Sequence, residues 1–141
     1  MELNLNNMTS QIFYITGTVH KEISMKIATK ADWKTLDFPA EVQTFEYNRE
    51  FSEEELNLLK YGHIPKEQED KWFMYMENNI IYFHRSWTGF GIYKIDLNNH
   101  IVTVNNNKDQ FNLTFEKNIE LVSGILDMVI DMNRREIQEA I

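Results

Sequence analysis

The residues best suited to chemistry lie near the middle of the chain, in the segment FHRSWTG, residues 83–89. Alternate residues of a β-strand lie on the same face, so a strand here would bring Phe83, Arg85 and Trp87 together. A guanidinium can bind a phosphate through two parallel hydrogen bonds while an aromatic ring stacks on a base. The same pattern also fits a structural role, in which rings sandwich Arg85 and an acid pairs with it. These residues therefore predict either a nucleotide site or a structural sandwich.

Other patterns that carry chemistry are missing from the sequence. The chain has no cysteine, which excludes disulfides, thiolate metal sites and a cysteine nucleophile. Its four histidines lack HxH and HExxH spacing, and GxSxG, GxGxxG and Walker A motifs do not occur. We therefore expect no metal and no cofactor. An enzyme would need an Asp or Glu as its base that the sequence does not single out.

The composition is that of one soluble domain. The chain has 141 residues, of which 43% are hydrophobic and 26% are charged, and it contains no apolar run long enough to cross a bilayer. Its N-terminus lacks the features of a signal peptide, so a cytoplasmic location is expected. The formal net charge of −8 argues against binding to nucleic acid or to anionic membranes, yet it leaves room for a local phosphate pocket.

The sequence around Ser52 predicts a short helix over residues 53–61. Ser52 and Glu55 form a capping box, in which each side chain accepts a hydrogen bond from the other's backbone. Gly62 suits the position just after the helix, and Pro65 prevents its continuation.

Alternation of apolar and polar residues predicts the strands. Residues 11–28 are expected to form two strands of a hairpin, residues 29–38 to contain a helical turn, and residues 42–47 to form a short strand. Asn78-Asn79 and Asn98-Asn99 divide an antiparallel meander, because asparagine tolerates the positive φ of tight turns. The strands of this meander are predicted near residues 72–77, 80–87, 90–97 and 100–105.

A long amphipathic helix is predicted after Thr114, with a charged tail, residues 133–141, that is expected to fray. The sequence thus predicts a single α+β domain over residues 1–141. It would contain a curved antiparallel sheet of about five to seven strands, a short capped helix and a long C-terminal helix packed on one face of the sheet.

The string GHIPKEQEDKWFMYMENNIIYFHRSWTGFGIYKI, residues 62–95, resembles a bacterial and phage family associated with ADP-ribose biology. Members of that family are similar to domains found beside macrodomain and ADP-ribosyl-processing proteins, and are related to phage proteins that sequester the NAD-derived cyclic signals of Thoeris-type defence. The resemblance covers about residues 40–130, and RSWTG at Arg85 to Gly89 is its most specific part. Two departures stand out: Gly91 replaces a cysteine, and residues 105–108 (NNNK) replace a VNRD-like loop and so lose an arginine.

The resemblance implies a protein that binds an ADP-ribose-like or cyclic ADP-ribose nucleotide without turning it over. In this hypothesis Arg85 clamps a phosphate, and Phe83 and Trp87 stack on or wall the base beside Thr88. The polar loop after the meander would contact ribose or base edges through Asn105 and Asp109, although it also fits a solvated connection. Arg49 is a second candidate for a phosphate. These predicted ligand-binding residues are Phe83, Arg85, Trp87, Thr88, Arg49, Asn105 and Asp109.

Two further classes of function stay open. One is an enzyme that hydrolyses an ADP-ribosyl or cyclic nucleotide bond. The other is a module that binds a protein through its aromatic face. The wide apolar surface of the sheet and helix also predicts a homo-oligomer, in which sites could be shared between subunits.

Overall fold

The computed structural model describes the protein over residues 8–15 and 19–140, with side chains from Met25 onward. Strands β1 (Met8–Ile15) and β2 (Val19–Lys26) form a separate antiparallel hairpin. A 3₁₀ turn, Lys30–Asp32, leads to β3 (Val42–Glu46) and helix α1 (Glu53–Lys60). The chain continues through β4 (Trp72–Glu77), β5 (Ile80–Arg85), β6 (Gly91–Asp96) and β7 (Ile101–Asn105), and closes with helix α2 (Phe115–Ala140).

The main sheet has five strands in the order β3-β7-β6-β5-β4, and every neighbouring pair is antiparallel. The α+β fold with a long C-terminal helix is therefore confirmed. The predicted strand span 11–28 includes residues 16–18, which lie outside the described residues. Within the part of the chain that the structure describes, no helix is long and apolar enough to cross a membrane.

Local signals set several of these elements. Ser52 Oγ accepts a hydrogen bond from Glu55 N at 3.1 Å, and Glu55 Oε1 accepts one from Ser52 N at 2.9 Å, so the capping box is confirmed. Gly62 follows the helix with φ of 67°, as the prediction requires. The β4–β5 turn has positive φ at both Asn78 and Asn79. At the β6–β7 turn the positive φ belongs instead to His100, because Asp96 accepts hydrogen bonds from the two preceding asparagine amides.

The core lies between one face of the sheet and helix α2. Phe83, Tyr93 and Leu126 have no exposed surface there. The opposite face of the sheet carries a smaller cluster, in which Phe73 and Tyr75 pack with Ala28 and Trp33. Both faces are thus covered near β4 and β5, which buries most of the aromatic side chains of these two strands.

Two predicted boundaries are wrong. Strand β5 ends at Arg85 rather than at residue 87, because residues 86–88 turn away from the sheet. The tail after residue 132 does not fray, since α2 continues to Ala140. Asn133 and Ile137 are buried in that last stretch, and Asn133 Nδ2 donates to the carbonyl oxygens of Leu58 and Gly62 at 2.9 and 3.0 Å. These contacts anchor the helix end to α1.

Candidate functional site

The site is built around the tight turn that follows β5. Gly89 N donates to Arg85 O at 2.8 Å, and Arg85 N donates to Phe90 O at 2.9 Å. Gly89 has φ of 80°, a conformation that glycine adopts without strain. A β-bulge lies beside this turn, because Phe83 pairs with Tyr93 whereas His84 pairs with Gly91. The bulge and the turn together bend the chain outward just after Arg85.

The segment before β3 holds the back of this turn. Trp33 Nε1 donates to Ser86 O at 2.8 Å, and Leu36 N donates to Gly89 O at 2.8 Å. The imidazole of His84 reaches the same Gly89 oxygen through Nδ1 at 2.9 Å. Because a carbonyl only accepts, Nδ1 carries the proton in this contact. Burial lowers the pKa of His84, Lys30 lowers it further, and the Gly89 hydrogen bond opposes both.

The loop before β4 holds the front of the turn. Ser86 Oγ donates to Asp70 O at 2.6 Å, and Ser86 N donates to Lys71 O at 2.9 Å. Trp87 Nε1 donates to Gln68 O at 3.0 Å, which orients the indole although the side chain is 69% exposed. The turn is therefore fixed from two sides, and it presents Trp87 to solvent in a defined position.

An open groove of about 610 Å³ lies between this turn and the two neighbouring loops. Its size is in the range of small-molecule sites in proteins. The lining side chains combine aromatic surface with hydrogen-bonding and charged groups: Gln68, Glu69, Lys71, Arg85, Ser86, Trp87, Thr88, Phe90 and Gln110.

Arg85 differs from the other arginines of the chain in its surroundings. Its guanidinium carbon lies 4.7 Å from the centre of the Trp72 ring and 5.9 Å from that of Phe111. Arg49, Arg134 and Arg135 each pair with a carboxylate. Arg85 is half-buried and has no acidic partner among the residues that the structure describes. The ring contacts of the structural sandwich are thus present, but no carboxylate of the described residues forms an ion pair with Arg85.

The prediction that Phe83, Arg85 and Trp87 share one strand face is confirmed for the first two and wrong for Trp87. Phe83 packs on Tyr93, and Arg85 lies over Trp72, which stacks on the same Tyr93. Phe83 has no exposed surface and packs edge-to-face on Tyr93, so no ligand can stack on its ring. Trp87 lies beyond the end of the strand. Arg85, Trp87 and Thr88 nevertheless line one groove, because the turn, rather than strand alternation, brings them together.

The other predicted ligand contacts lie elsewhere. Asn105 is buried, and its side chain is used in contacts within the protein. Asp109 is exposed on the loop after β7 and does not line the groove. Arg49 lines a different groove, of about 530 Å³, and pairs with Asp127 at 2.6 Å. The structure therefore does not bring Asn105, Asp109 and Arg49 to the site of Arg85.

Sequence reasoning missed several residues of the site. Trp72 lies opposite Arg85 in the β4–β5 register, and the two-residue turn at Asn78-Asn79 was the signal that could have predicted this pairing. Gln110 lies within the polar loop that the sequence indicated, but nothing in its spacing pointed to the groove. Nothing in the sequence indicated a role for Lys71, Phe90 and Glu69 beyond their closeness to Trp72 and to the segment FHRSWTG.

No group of three or more His, Asp or Glu side chains suited to a metal ion occurs among the residues described. Comparison of the chain with models of protein families, with curated proteins and with solved structures finds no match.

Proposed function

We propose that this protein binds an NAD-derived nucleotide, ADP-ribose-like or cyclic ADP-ribose, in the groove beside Arg85 and sequesters it without conversion. The observation that carries the proposal is the state of Arg85. Its guanidinium lines an open groove, lies close enough to the Trp72 ring for a cation–π contact, and meets no carboxylate among the described residues. A half-buried charge in such a place is best satisfied by an anion that arrives with the ligand.

The neighbouring Trp87 supplies the second half of recognition. Its indole is exposed and is oriented by the hydrogen bond to Gln68. An exposed, oriented ring offers a stacking surface to a purine. An arginine beside a free aromatic ring therefore suits a ligand that combines a phosphate with a base. The RSWTG resemblance supports the same ligand class, and a phage protein of this kind would counter a host defence that signals through such nucleotides.

One observation favours hydrolysis as a second candidate function. Glu69 is the one carboxylate that lines the groove among the described residues, so it would be the base of an enzyme that cleaves the bound nucleotide. A sequestering protein releases the nucleotide intact, whereas a hydrolase releases its cleavage product.

A depletion experiment separates these functions. The protein is mixed with a molar excess of ADP-ribose or cyclic ADP-ribose, and the free nucleotide is measured by chromatography before and after the protein is denatured by heat. Sequestration removes nucleotide in proportion to protein and returns it intact on heating. Hydrolysis yields product beyond one equivalent and is lost in Glu69→Gln. Absence of depletion and of any thermal shift with either nucleotide would contradict both functions.

A further inference from the structure

We propose that the groove recognises its ligand as an oxygen anion through a set of hydrogen-bond donors, and that Asn105 sets this polarity by holding the Gln110 amide with its NH₂ group toward the ligand. The inference rests on the proposed function and names the part of the nucleotide that the groove selects, its phosphate oxygens. Asn105 acts in it as a positioning residue rather than as a ligand contact.

Two backbone groups fix the orientation of Asn105. Its Nδ2 donates to Gly91 O at 2.8 Å, and its Oδ1 accepts from Asn107 N at 2.9 Å. A carbonyl oxygen only accepts and an amide N–H only donates, so a flipped Asn105 would lose both contacts. The side chain is 2% exposed, where an unpaired amide group would be costly. Asn105 therefore has one orientation.

The second N–H of Asn105 determines the orientation of Gln110. It donates to Gln110 Oε1 at 2.8 Å, so the oxygen of Gln110 faces the protein interior. The Nε2 group of Gln110 has no partner among the described residues, and the side chain lines the groove. The chain of contacts runs from backbone to Asn105 to Gln110, and it ends in two N–H donors available to a ligand.

The charged groups of the groove also favour an anion, because the described residues that line it include two cations, Arg85 and Lys71, and one carboxylate, Glu69. Arg85 and Lys71 carry only donors. Thr88 Oγ1 accepts from Phe90 N at 3.2 Å, which leaves its hydroxyl hydrogen free to donate. The acceptors among the lining side chains are the Glu69 carboxylate, the amide oxygen of Gln68 and Ser86 Oγ, whose one hydrogen is donated to Asp70 O. A ligand rich in acceptors, such as a diphosphate, matches this set, whereas a neutral nucleoside leaves the donors unpaired.

The test compares Gln110→Glu with a matched control, Gln110→Ala. The carboxylate introduced by Gln110→Glu would keep one oxygen toward Asn105 and would place its second oxygen where the NH₂ group was. Calorimetric titration with ADP-ribose should therefore give at least tenfold weaker binding for Gln110→Glu than for Gln110→Ala. Titration with adenosine, which lacks phosphate, should show no such difference between the variants. Equal affinities of Gln110→Glu and wild type for ADP-ribose would overturn this inference and leave the proposed function standing.

A second pair of variants tests the positioning by Asn105. In Asn105→Ala the Gln110 amide loses its fixed orientation, so replacing Gln110 by Ala should weaken ADP-ribose binding less in that background than in wild type. Additive losses would contradict positioning, with thermal unfolding of each variant as the control for folding.

Pyrophosphate is a further probe, which separates this inference from the proposed function. If pyrophosphate binds, Gln110→Glu weakens that binding and neither nucleotide binds, the donor set stands and the proposed function fails. If neither pyrophosphate nor either nucleotide binds, both this inference and the proposed function are overturned.

Discussion

Arg85 and Trp87 are the two residues on which the proposed recognition depends, and they are held in place in different ways. The guanidinium of Arg85 lies on the ring of Trp72 and keeps its donors free of any described carboxylate. The indole of Trp87 projects into solvent and is held at its Nε1 by the carbonyl of Gln68. Arg85 is therefore partly packed against the sheet, whereas Trp87 lies almost wholly at the surface.

Because Trp87 has little packing to lose, its replacement should affect binding rather than folding. Stacking of a base on an aromatic ring contributes about 1–3 kcal/mol, so Trp87→Ala should weaken binding of ADP-ribose by roughly five- to 150-fold. The midpoint of thermal unfolding should change little. Trp87→Phe keeps a ring, loses the hydrogen bond to Gln68, and should retain most of the affinity. Unchanged affinity in Trp87→Ala would remove the indole from the site.

His84 should make the stability of the fold depend on pH. Burial lowers its pKa in the folded state, so the unfolded chain takes up a proton first as the pH falls below about 6.5. The free energy of unfolding should therefore fall toward acid by up to about 1.4 kcal/mol per pH unit, until the folded state is protonated too. Urea unfolding between pH 5 and pH 7.5 measures this slope.

The control for that slope is His84→Asn, in which the dependence between pH 5 and 6.5 should largely disappear. A separate loss of stability at lower pH should remain in the variant, because hydrogen bonds outweigh burial and lower the pKa values of Asp32 and Asp70. An equal slope in wild type and variant would mean that His84 does not contribute.

At the scale of elements, the sequence was informative wherever the signal was local. The capping box at Ser52 and the asparagine turn at Asn78-Asn79 each depend on a few neighbouring residues, and both are confirmed. The end of β5 was wrong because Ser86 bonds to Asp70 and Lys71, which are 16 and 15 positions earlier in the chain. Strand alternation contains no information about such contacts, so the sequence predicted a flat strand face where the structure has a turn.

The replacement of a cysteine by Gly91 also depends on a contact that is distant in the sequence. The resemblance places a cysteine at this position, and Phe38 determines whether a larger side chain than that of glycine fits there. A Cβ atom on Gly91 would lie 2.6 Å from the ring of Phe38, which is closer than carbon atoms approach in folded proteins. Phe38 therefore occupies in this chain the space that a larger residue would need, and it packs there against His84.

The end of helix α2 provides the prediction at this scale. Asn133 donates to two carbonyl oxygens at the C-terminal end of α1. Its loss would leave Gly62 O without a donor among the described residues, and Leu58 O with only the 3.3 Å bond from Tyr61 N. We expect Asn133→Ala to lower the free energy of unfolding by about 1–3 kcal/mol, measured by urea denaturation. Gln138→Ala, on the exposed side of the same helix, is the matched control and should change it by less than about 0.5 kcal/mol. Equal effects of the two would mean that the helix end is not anchored by Asn133.

At the scale of the whole molecule, the predicted homo-oligomer remains a proposal. Much of the apolar surface on which it was based is used in the core, since the broad face of α2 packs on the sheet.

The outer edge of β3 offers another surface for pairing of two copies. Glu41 and Tyr47 exchange hydrogen bonds with the β7 side, so strand geometry turns the backbone groups of Val42, Thr44 and Glu46 outward. A second copy, antiparallel about Thr44, would oppose Val42 to Glu46 and place no like charges together.

This edge can be tested by Thr44→Pro, which removes one outward N–H and leaves the bonds to β7 in place. If the chain pairs through β3, light scattering after gel filtration should show a dimer for wild type and a monomer for the variant. Thr44→Val is the control, because it keeps the backbone donor. A monomeric wild type at high concentration would contradict the homo-oligomer itself.

The central claim is that Arg85 binds the phosphate of a nucleotide, and calorimetric titration of ADP-ribose and cyclic ADP-ribose into wild type, Arg85→Ala and Arg85→Lys tests it most directly. Loss of two charge-assisted hydrogen bonds, about 3 kcal/mol or more, predicts at least a hundredfold weaker binding for Arg85→Ala. Arg85→Lys keeps the charge without the planar fork and should lie between the two. Thermal unfolding should show that both variants fold. Wild-type affinity in a folded Arg85→Ala would contradict the claim, and a variant that cannot fold would assign Arg85 to the structural sandwich instead.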